Sequence, residues 1–331
     1  MNIHRYFKTY YPILYESVIR LNRTNDFVRV DDSDLPELYN VYGEKMIWFY
    51  LDDTRLLHHP YTLNAGHVPQ RIIWDRANQT LPLHMYNHLQ ILKHRAIDNV
   101  RQFGIMKEAE IIVPGEYKLM MEKEDKVKYL TALFTFSERL LDKYENARFS
   151  LCNGTWYGTE LFGGILDENN YKRKNKLLSI VASNKHEVPL HVFRANTAKE
   201  LKRRGLADAM GASVGLRFEK ISDAFDDYMY NVAIENEQAK YYFTEKILDC
   251  FASMTIPVYY GATEIDKFFN GDGIIKIKEP TIECVIDTIG QCSINDYEAR
   301  LYAVKDNFER VRKYRSVDDY LTDNYLDLFQ S

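Results

Sequence analysis

Apolar and polar positions along the chain fall into two rhythms. In the second half, LLSIVAS (Leu177–Ser183), YMYNVAIE (Tyr228–Glu235) and TIPVYYG (Thr255–Gly261) are short apolar runs bounded by polar residues, the signature of buried strands. NTAKELKRRG (Asn196–Gly205), with its glycine stop, and TEKILDCFAS (Thr244–Ser253) read as helices between them, and GIIKI (Gly273–Ile277) adds a strand. Strands alternating with helices predict an α/β fold with a parallel sheet. In the first half, Met46–Asp53, Arg71–Asp75 and Ala109–Pro114 read as strands, while His88–Gly104 and Tyr129–Tyr144 read as at least partly helical. From Asp296 onward the chain is charged, aromatic and helical in period.

Length adds a second domain: 331 residues are more than one core usually organises. The glycine-rich, then acidic and basic, stretch near the middle is the natural divide. It gives an N-terminal domain over 1–155, a boundary segment over 156–176, a C-terminal domain over 177–295 and a helical tail over 296–331 packing across the domains. Hydrophobic residues at 46% and charged residues at 27% exclude a disordered or fibrous chain, and a net charge of −5 gives no bulk field for polyanions. The chain shows no signal-peptide pattern and no run of 18 apolar residues, so a soluble, cytoplasmic protein without a membrane span is expected, in a bacterial cell or in the host of a virus. Four cysteines without a C-x-x-C pair point to no metal site. His84-x3-His88 lacks the glutamate of a metalloprotease helix, and Asp32-Ser33-Asp34 reads as a polar turn.

In a parallel α/β sheet, ligands bind beyond the carboxyl ends of the strands. The run Leu177–Ser183 ends in Ser183, Asn184 and Lys185, with Arg194 just before the next helix. The run Tyr228–Glu235 ends in Glu235 and Asn236, and the next helix opens with Thr244-Glu245-Lys246. Thr244 suits an N-cap, but Lys246 in a first turn opposes the helix dipole. Either Lys246 points to solvent, or it faces a bound phosphate at the helix start.

The block Tyr230–Asn270 extends this pattern: Glu235-Asn236, then Tyr242-Phe243-Thr244-Glu245-Lys246, then Ile256-Pro257-Val258-Tyr259-Tyr260-Gly261, then Phe269-Asn270. It resembles the signature of the family-10 glycosyltransferases, the α1,3-fucosyltransferase family, and Ser183-Asn184 with Arg194 is similar to the family's upstream S-N-x…R element. One departure is Tyr260, where the family often has Trp. The resemblance implies a GT-B architecture, two Rossmann-like domains facing a central cleft, with the nucleotide sugar on the C-terminal domain. It implies inverting transfer, most directly of fucose from GDP-fucose to a glycan hydroxyl, with no obligatory metal or cofactor beyond the donor. By motif position, Arg194 and Lys246 neutralise the diphosphate, Asn236 and Tyr242 contact it or the sugar, and Glu245 holds ribose or fucose hydroxyls.

Inverting transfer also needs a carboxylate base. With Pro114 and Tyr117, Glu108 resembles an E-x5-P-x2-Y element of the family's soluble members, which makes it the candidate base; Glu116 in Pro-Gly-Glu, similar to the family's Gly-Glu, is the alternative. Asp75, Arg76 and His84 are candidate acceptor contacts; for Asp75 and Arg76 the rival reading is an internal ion pair. Two other functions stay open: the same chemistry with another nucleotide sugar and a protein or modified DNA-base acceptor, and a non-catalytic nucleotide-sugar-binding protein.

Overall fold

A computed structural model describes residues 46–53, 67, 70–76, 78–159 and 161–330, so Asp32-Ser33-Asp34 lies outside the described residues. They divide into two compact units, one holding the residues up to Cys152 together with those from Ser316 on, the other Asn153–Arg315.

The first unit is built on six parallel strands: β1 (Ile47–Asp52), β2 (Ile72–Asp75), β3 (Leu83–Asn87), β4 (Arg101–Met106), β5 (Ala132–Thr135) and β6 (Ala147–Phe149). Their order is β2-β1-β3-β4-β5-β6, so the winding reverses between β1 and β3, the place where doubly wound sheets bind ligands. Strands β2, β3 and β5 are buried throughout, as a sheet covered on both faces requires. Helices α1 (Pro114–Glu122), α2 (Glu124–Lys128) and α3 (Glu138–Lys143) enclose a core with Met106 and Leu133. Period-two alternation sends Phe103 and Phe134 to the opposite face. There Phe329, from the short helix Asp327–Gln330, packs edge-on against Phe49 and Phe103 with ring centroids 5.2 and 5.4 Å away. Trp74 donates its indole N–H to buried Asp318 at 3.0 Å, and Arg101 donates to the carbonyls of Leu328 and Phe329.

One expectation for this unit fails and another holds only in part. Ala109–Pro114 is not a strand but a turn leading into α1, whose first residue is Pro114, a position where its missing N–H costs nothing. Of His88–Gly104 only His88–Leu92 is helical, as one 3-10 turn; Asn99 then takes a left-handed φ of 61°, and Arg101–Met106 becomes the strand between β3 and β5. A central strand is apolar on both faces, so periodicity cannot separate it from a buried helix. Gly104 belongs to that strand because a Cβ there would sit 2.7 Å from Leu130 Cδ1 and 2.9 Å from Ile91 Cδ1.

The second unit has five parallel strands, β7 (Lys176–Val181), β8 (Asp208–Met210), β9 (Tyr228–Ile234), β10 (Ile256–Tyr260) and β11 (Ile275–Lys276), in the order β11-β10-β9-β7-β8. The reversal here falls between β7 and β9. Helix α4 (Pro189–Arg204) connects β7 to β8, and α5 (Glu245–Ala252) connects β9 to β10. Helices α6 (Ile282–Ile289), α7 (Ile294–Ala299) and α8 (Leu301–Val311) follow, with Val285, Tyr297 and Phe308 in the sheet's main core. Helix α4 ends on left-handed Gly205 (φ 69°) as expected, but it starts at Pro189 and not at Asn196. Arg194 is therefore inside its second turn, not in the preceding loop. Among the described residues no helix is long and apolar enough to cross a membrane.

Candidate active site

At the reversal of the second sheet, two carboxylates and two cations are locked together. Arg194 is buried on α4; its Nη1 donates to the carbonyl of Ile234, the last residue of β9, at 2.5 Å, and both Nη atoms reach Asn236 Oδ1 at 3.3 Å. Burial pulls its guanidinium below its ordinary range, opposed by the nearby charges of Glu235 and Glu245. Glu235, just past β9, has no exposed surface. Its two oxygens accept from the Thr244 N–H at 2.9 Å and the Thr244 hydroxyl at 2.7 Å. Burial raises its pKa, with Lys246 and Thr244 pulling the other way.

Thr244 caps α5, accepting from the Lys246 N–H. The Lys246 ammonium does not turn to solvent. It donates to Thr244 Oγ1 and to Glu245 Oε1, both at 2.9 Å, and lies 3.4 Å from Glu235 Oε2, so its three protons each face an acceptor. Burial works against that charge, but Glu245 and Glu235 outweigh it and raise the pKa. Burial likewise works against the charge of Glu245, yet Lys246 and Asn153, which donates to its second oxygen at 3.3 Å, hold it below the usual carboxylate range. Tyr242, also buried, accepts from Asn236 Nδ2 at 3.4 Å. Gly261 completes the site by omission: a Cβ there would lie 2.3 Å from the Tyr259 hydroxyl and 2.5 Å from Glu235 Cγ.

The structure thus gathers Arg194, Asn236 and Tyr242 into one hydrogen-bonded group and Glu245 and Lys246, with Glu235 and Thr244, into another, and the charges of the two groups act on each other. Ser183 and Asn184 are not bonded to it: Ser183 accepts from the Lys185 N–H at 3.4 Å, and Asn184 lines a cavity of about 220 Å³ with Lys185, His186, Asn196 and Lys199. Charged groups converging on a sheet reversal, with the α5 N-terminus beside them, suit a polyanionic ligand.

In the first unit the candidate bases separate. Glu108 is half-buried in the turn after β4, with one carboxylate oxygen accepting from the Ala109 N–H at 3.1 Å. Glu116, in the first turn of α1, is buried and bonded to His88 Nδ1 at 2.5 Å. His84 is a core residue of β3, with Nδ1 on the Tyr86 hydroxyl and Nε2 on the Gln79 carbonyl, both at 3.1 Å, and burial lowers its pKa. Both of its nitrogens are used internally, the structural one of the two roles open to it in the sequence. Asp75 is buried and accepts from the Asn78 N–H, while Arg76 makes a two-bond ion pair with Asp53.

Residues 171–302 match the family model described as glycosyltransferase family 10 (fucosyltransferase), C-terminal part. The matched segment lies wholly within the second unit. Among curated proteins, the Helicobacter pylori alpha-(1,3)-fucosyltransferase FucT is 26% identical over 117 residues, 35% of this chain and 24% of that protein's length. The chain thus matches about a quarter of that relative. A solved α1,3-fucosyltransferase with GDP-fucose is similar over 78% of this chain and 81% of its own, with 16% identity and a TM-score of 0.47. A point mutant of S. aureus TarM, in a complex containing UDP, is similar over 75% of this chain and 55% of its own, with 12% identity and a TM-score of 0.50. Together with the two parallel sheets, that likeness gives the chain a GT-B-like fold.

Three residues of note escaped the sequence reading. His88 looked like half of a weak metal pair; only the fold sets it beside Glu116. Asn153 lies 92 positions from its partner Glu245. His191, one turn before Arg194, is buried with Nδ1 unbonded; burial and then the charges of Arg194 and Lys185 lower its pKa to about 4. Its i, i+3 spacing to Arg194 was the available signal.

Proposed function

We propose that this chain is an inverting glycosyltransferase that moves a sugar, fucose from GDP-fucose in the first instance, to a glycan hydroxyl. The observation that carries the reading is the Arg194–Glu235–Lys246–Glu245 cluster at the sheet reversal, in the segment that matches the fucosyltransferase model. Glu108 takes the proton of the acceptor hydroxyl as its oxygen bonds to the anomeric carbon. The bond from that carbon to the diphosphate breaks, and Arg194 and Lys246 hold the charge that develops on the leaving group. Because all three Lys246 protons are engaged internally, the diphosphate must take the place of one partner. Glu245 is the exchangeable one, since Glu235 and Thr244 are sealed in the interior. Its release frees a carboxylate for ribose or sugar hydroxyls.

The test is thermal stabilisation by GDP, UDP, CMP, GDP-fucose, GDP-mannose and UDP-sugars, which needs no knowledge of the acceptor. A ligand at 100 times its Kd stabilises by about 2.7 kcal/mol. Stabilisation confined to guanine nucleotides supports the proposal. A response to UDP-sugars alone removes fucose, and no response to any of them removes the transferase reading.

A further inference from the structure

The Lys107–Glu108 pair follows β4 and belongs to no helix or strand, yet each of its four backbone polar groups is bonded to a side chain from elsewhere in the first unit. The N–H of Lys107 and that of Glu108 both donate to His88 Nε2, at 3.1 and 3.2 Å. The carbonyl of Lys107 accepts from the Cys152 thiol at 2.7 Å, and that of Glu108 from the Tyr117 hydroxyl at 2.8 Å. An irregular turn normally leaves such groups to water. Accepting two N–H groups fixes His88 Nε2 as the bare nitrogen, so Nδ1 carries the proton and donates it to Glu116. His88 and Glu116 are both almost wholly enclosed, at 1% and 2% exposure. His88 also adopts φ 55°, a left-handed conformation that a non-glycine residue keeps only when its surroundings impose it.

The spacing from Glu108 to Tyr117 has a mechanical reason in this arrangement. The turn and first helical residues between them carry the Tyr117 ring back under the Glu108 carbonyl. Glu116, one residue earlier on α1, reaches His88, which begins the turn after β3. Two neighbours on one helix thus hold the same dipeptide, one directly and one through an imidazole.

We infer that Glu116, His88, Tyr117 and Cys152 form a buried cradle that positions Glu108, with Glu116 acting through His88 and not as a base itself. The inference rests on the proposed role of Glu108, and the cradle fixes the backbone from which that carboxylate projects. Misplacement of a reacting group by about 1 Å costs ~100-fold in rate, which sets the scale of the expected effect.

The experiment combines amide hydrogen exchange with kinetics on the full chain, for Glu116→Gln, Tyr117→Phe and His88→Phe. In the wild type the Lys107 and Glu108 amides should be protected. In His88→Phe and Glu116→Gln their exchange should accelerate by roughly tenfold or more while the β4 amides of Phe103 and Ile105 stay protected, showing that the unit is folded. Transfer from GDP-fucose to an oligosaccharide acceptor should lose kcat by ~10–100-fold in all three variants, with the KM for GDP-fucose and the melting shift given by GDP unchanged. If His88→Phe does not fold, Glu116→Gln and Tyr117→Phe carry the test. Unprotected amides at 107 and 108 in the wild type, or exchange unaltered by the variants, would overturn the cradle. So would normal transfer by Glu108→Gln alongside inactive Glu116→Gln, which makes Glu116 the base. Absence of any nucleotide-sugar binding would sink the donor assignment instead, and the exchange data would still decide the cradle.

Discussion

Replacing Lys246 by methionine removes the cation between wholly buried Glu235 and partly exposed Glu245 and keeps most of the side-chain volume. Its nitrogen lies 2.9 Å from Glu245 and 3.4 Å from Glu235. At an effective dielectric of about 20, each attraction is on the order of 5 kcal/mol, largely offset by the cost of desolvating the charges. What the substitution exposes is the uncompensated part: Glu235 keeps its two bonds from Thr244 but loses its counter-charge with no surface to release it to water. Stripping a buried pair of one partner costs about 3–5 kcal/mol, so we expect about 3 kcal/mol here. The pH dependence follows from the direction of the Glu235 shift. Its folded pKa already lies above the ordinary value of 4.5, and losing Lys246 raises it further. Stability from a raised pKa is present below the unfolded value and lost as pH rises through the folded one, so Lys246→Met should be weakest at pH 8 and recover toward pH 5. The second substitution, Glu235→Gln, should restore about 2 kcal/mol at pH 8 in the Lys246→Met background, although alone it destabilises. Hydrogen exchange of the β9 and α5 amides measures these changes in the second unit itself. Equal losses at pH 5 and pH 8, or simple additivity in the double variant, would refute the electrostatic account of the cluster.

Other expectations are independent of this one. Lys174 is buried with its nitrogen donating to the Phe225 carbonyl at 2.7 Å and Thr255 Oγ1 at 2.9 Å, and burial lowers its pKa to about 7. The unfolded chain then binds more protons between pH 7 and 10.5, so wild-type stability should rise relative to Lys174→Met by about 2 kcal/mol between pH 7.5 and 9; parallel denaturation curves for the two would remove the shift. His191→Gln should abolish the part of acid destabilisation between pH 6.5 and 4 that comes from protonating a buried imidazole in the unfolded chain, visible as a flatter melting-temperature profile over that range. Phe329→Ala should cost the first unit about 3–5 kcal/mol, read from exchange at the β1 and β4 amides; a loss under 1 kcal/mol would mean that the ring is not part of the core.

The second unit was the more readable from sequence. Its strands are apolar runs closed by polar residues, and its helices carry marks that the fold uses: Thr244 as a cap and Gly205 as a stop. The polar groups at the strand ends meet because parallel winding brings consecutive carboxyl ends to one edge, a rule that needs no coordinates. The Arg194 error has a local cause: Val188 offers no capping side chain, so nothing marks a helix beginning at Pro189 except the proline. In the first unit the signals mislead. Strand β4 hides in a segment with helical spacing, and the apolar Ile111-Ile112-Val113 run is a turn that feeds α1. That Glu116 is buried against His88 while Glu108 is only half-buried cannot be read from the sequence, because it depends on where the fold places His88.

The first unit is interrupted in sequence: it opens before Cys152, gives way to the whole stretch from Asn153 to Arg315, and resumes at Ser316. On the ribosome, its sheet is therefore finished long before the helix bearing Phe329 exists. At about 5–20 residues per second the intervening stretch occupies the translation machinery for on the order of 10–30 s. Throughout that interval Phe49, Phe103 and Phe134 lack the Phe329 ring that packs against them, whereas the second unit, continuous in sequence, has all its own residues as soon as Arg315 emerges. The second unit thus has its full sequence before the first does, and a nascent chain stalled before Ser316 holds every residue of the second unit while the first still lacks the Phe329 contacts.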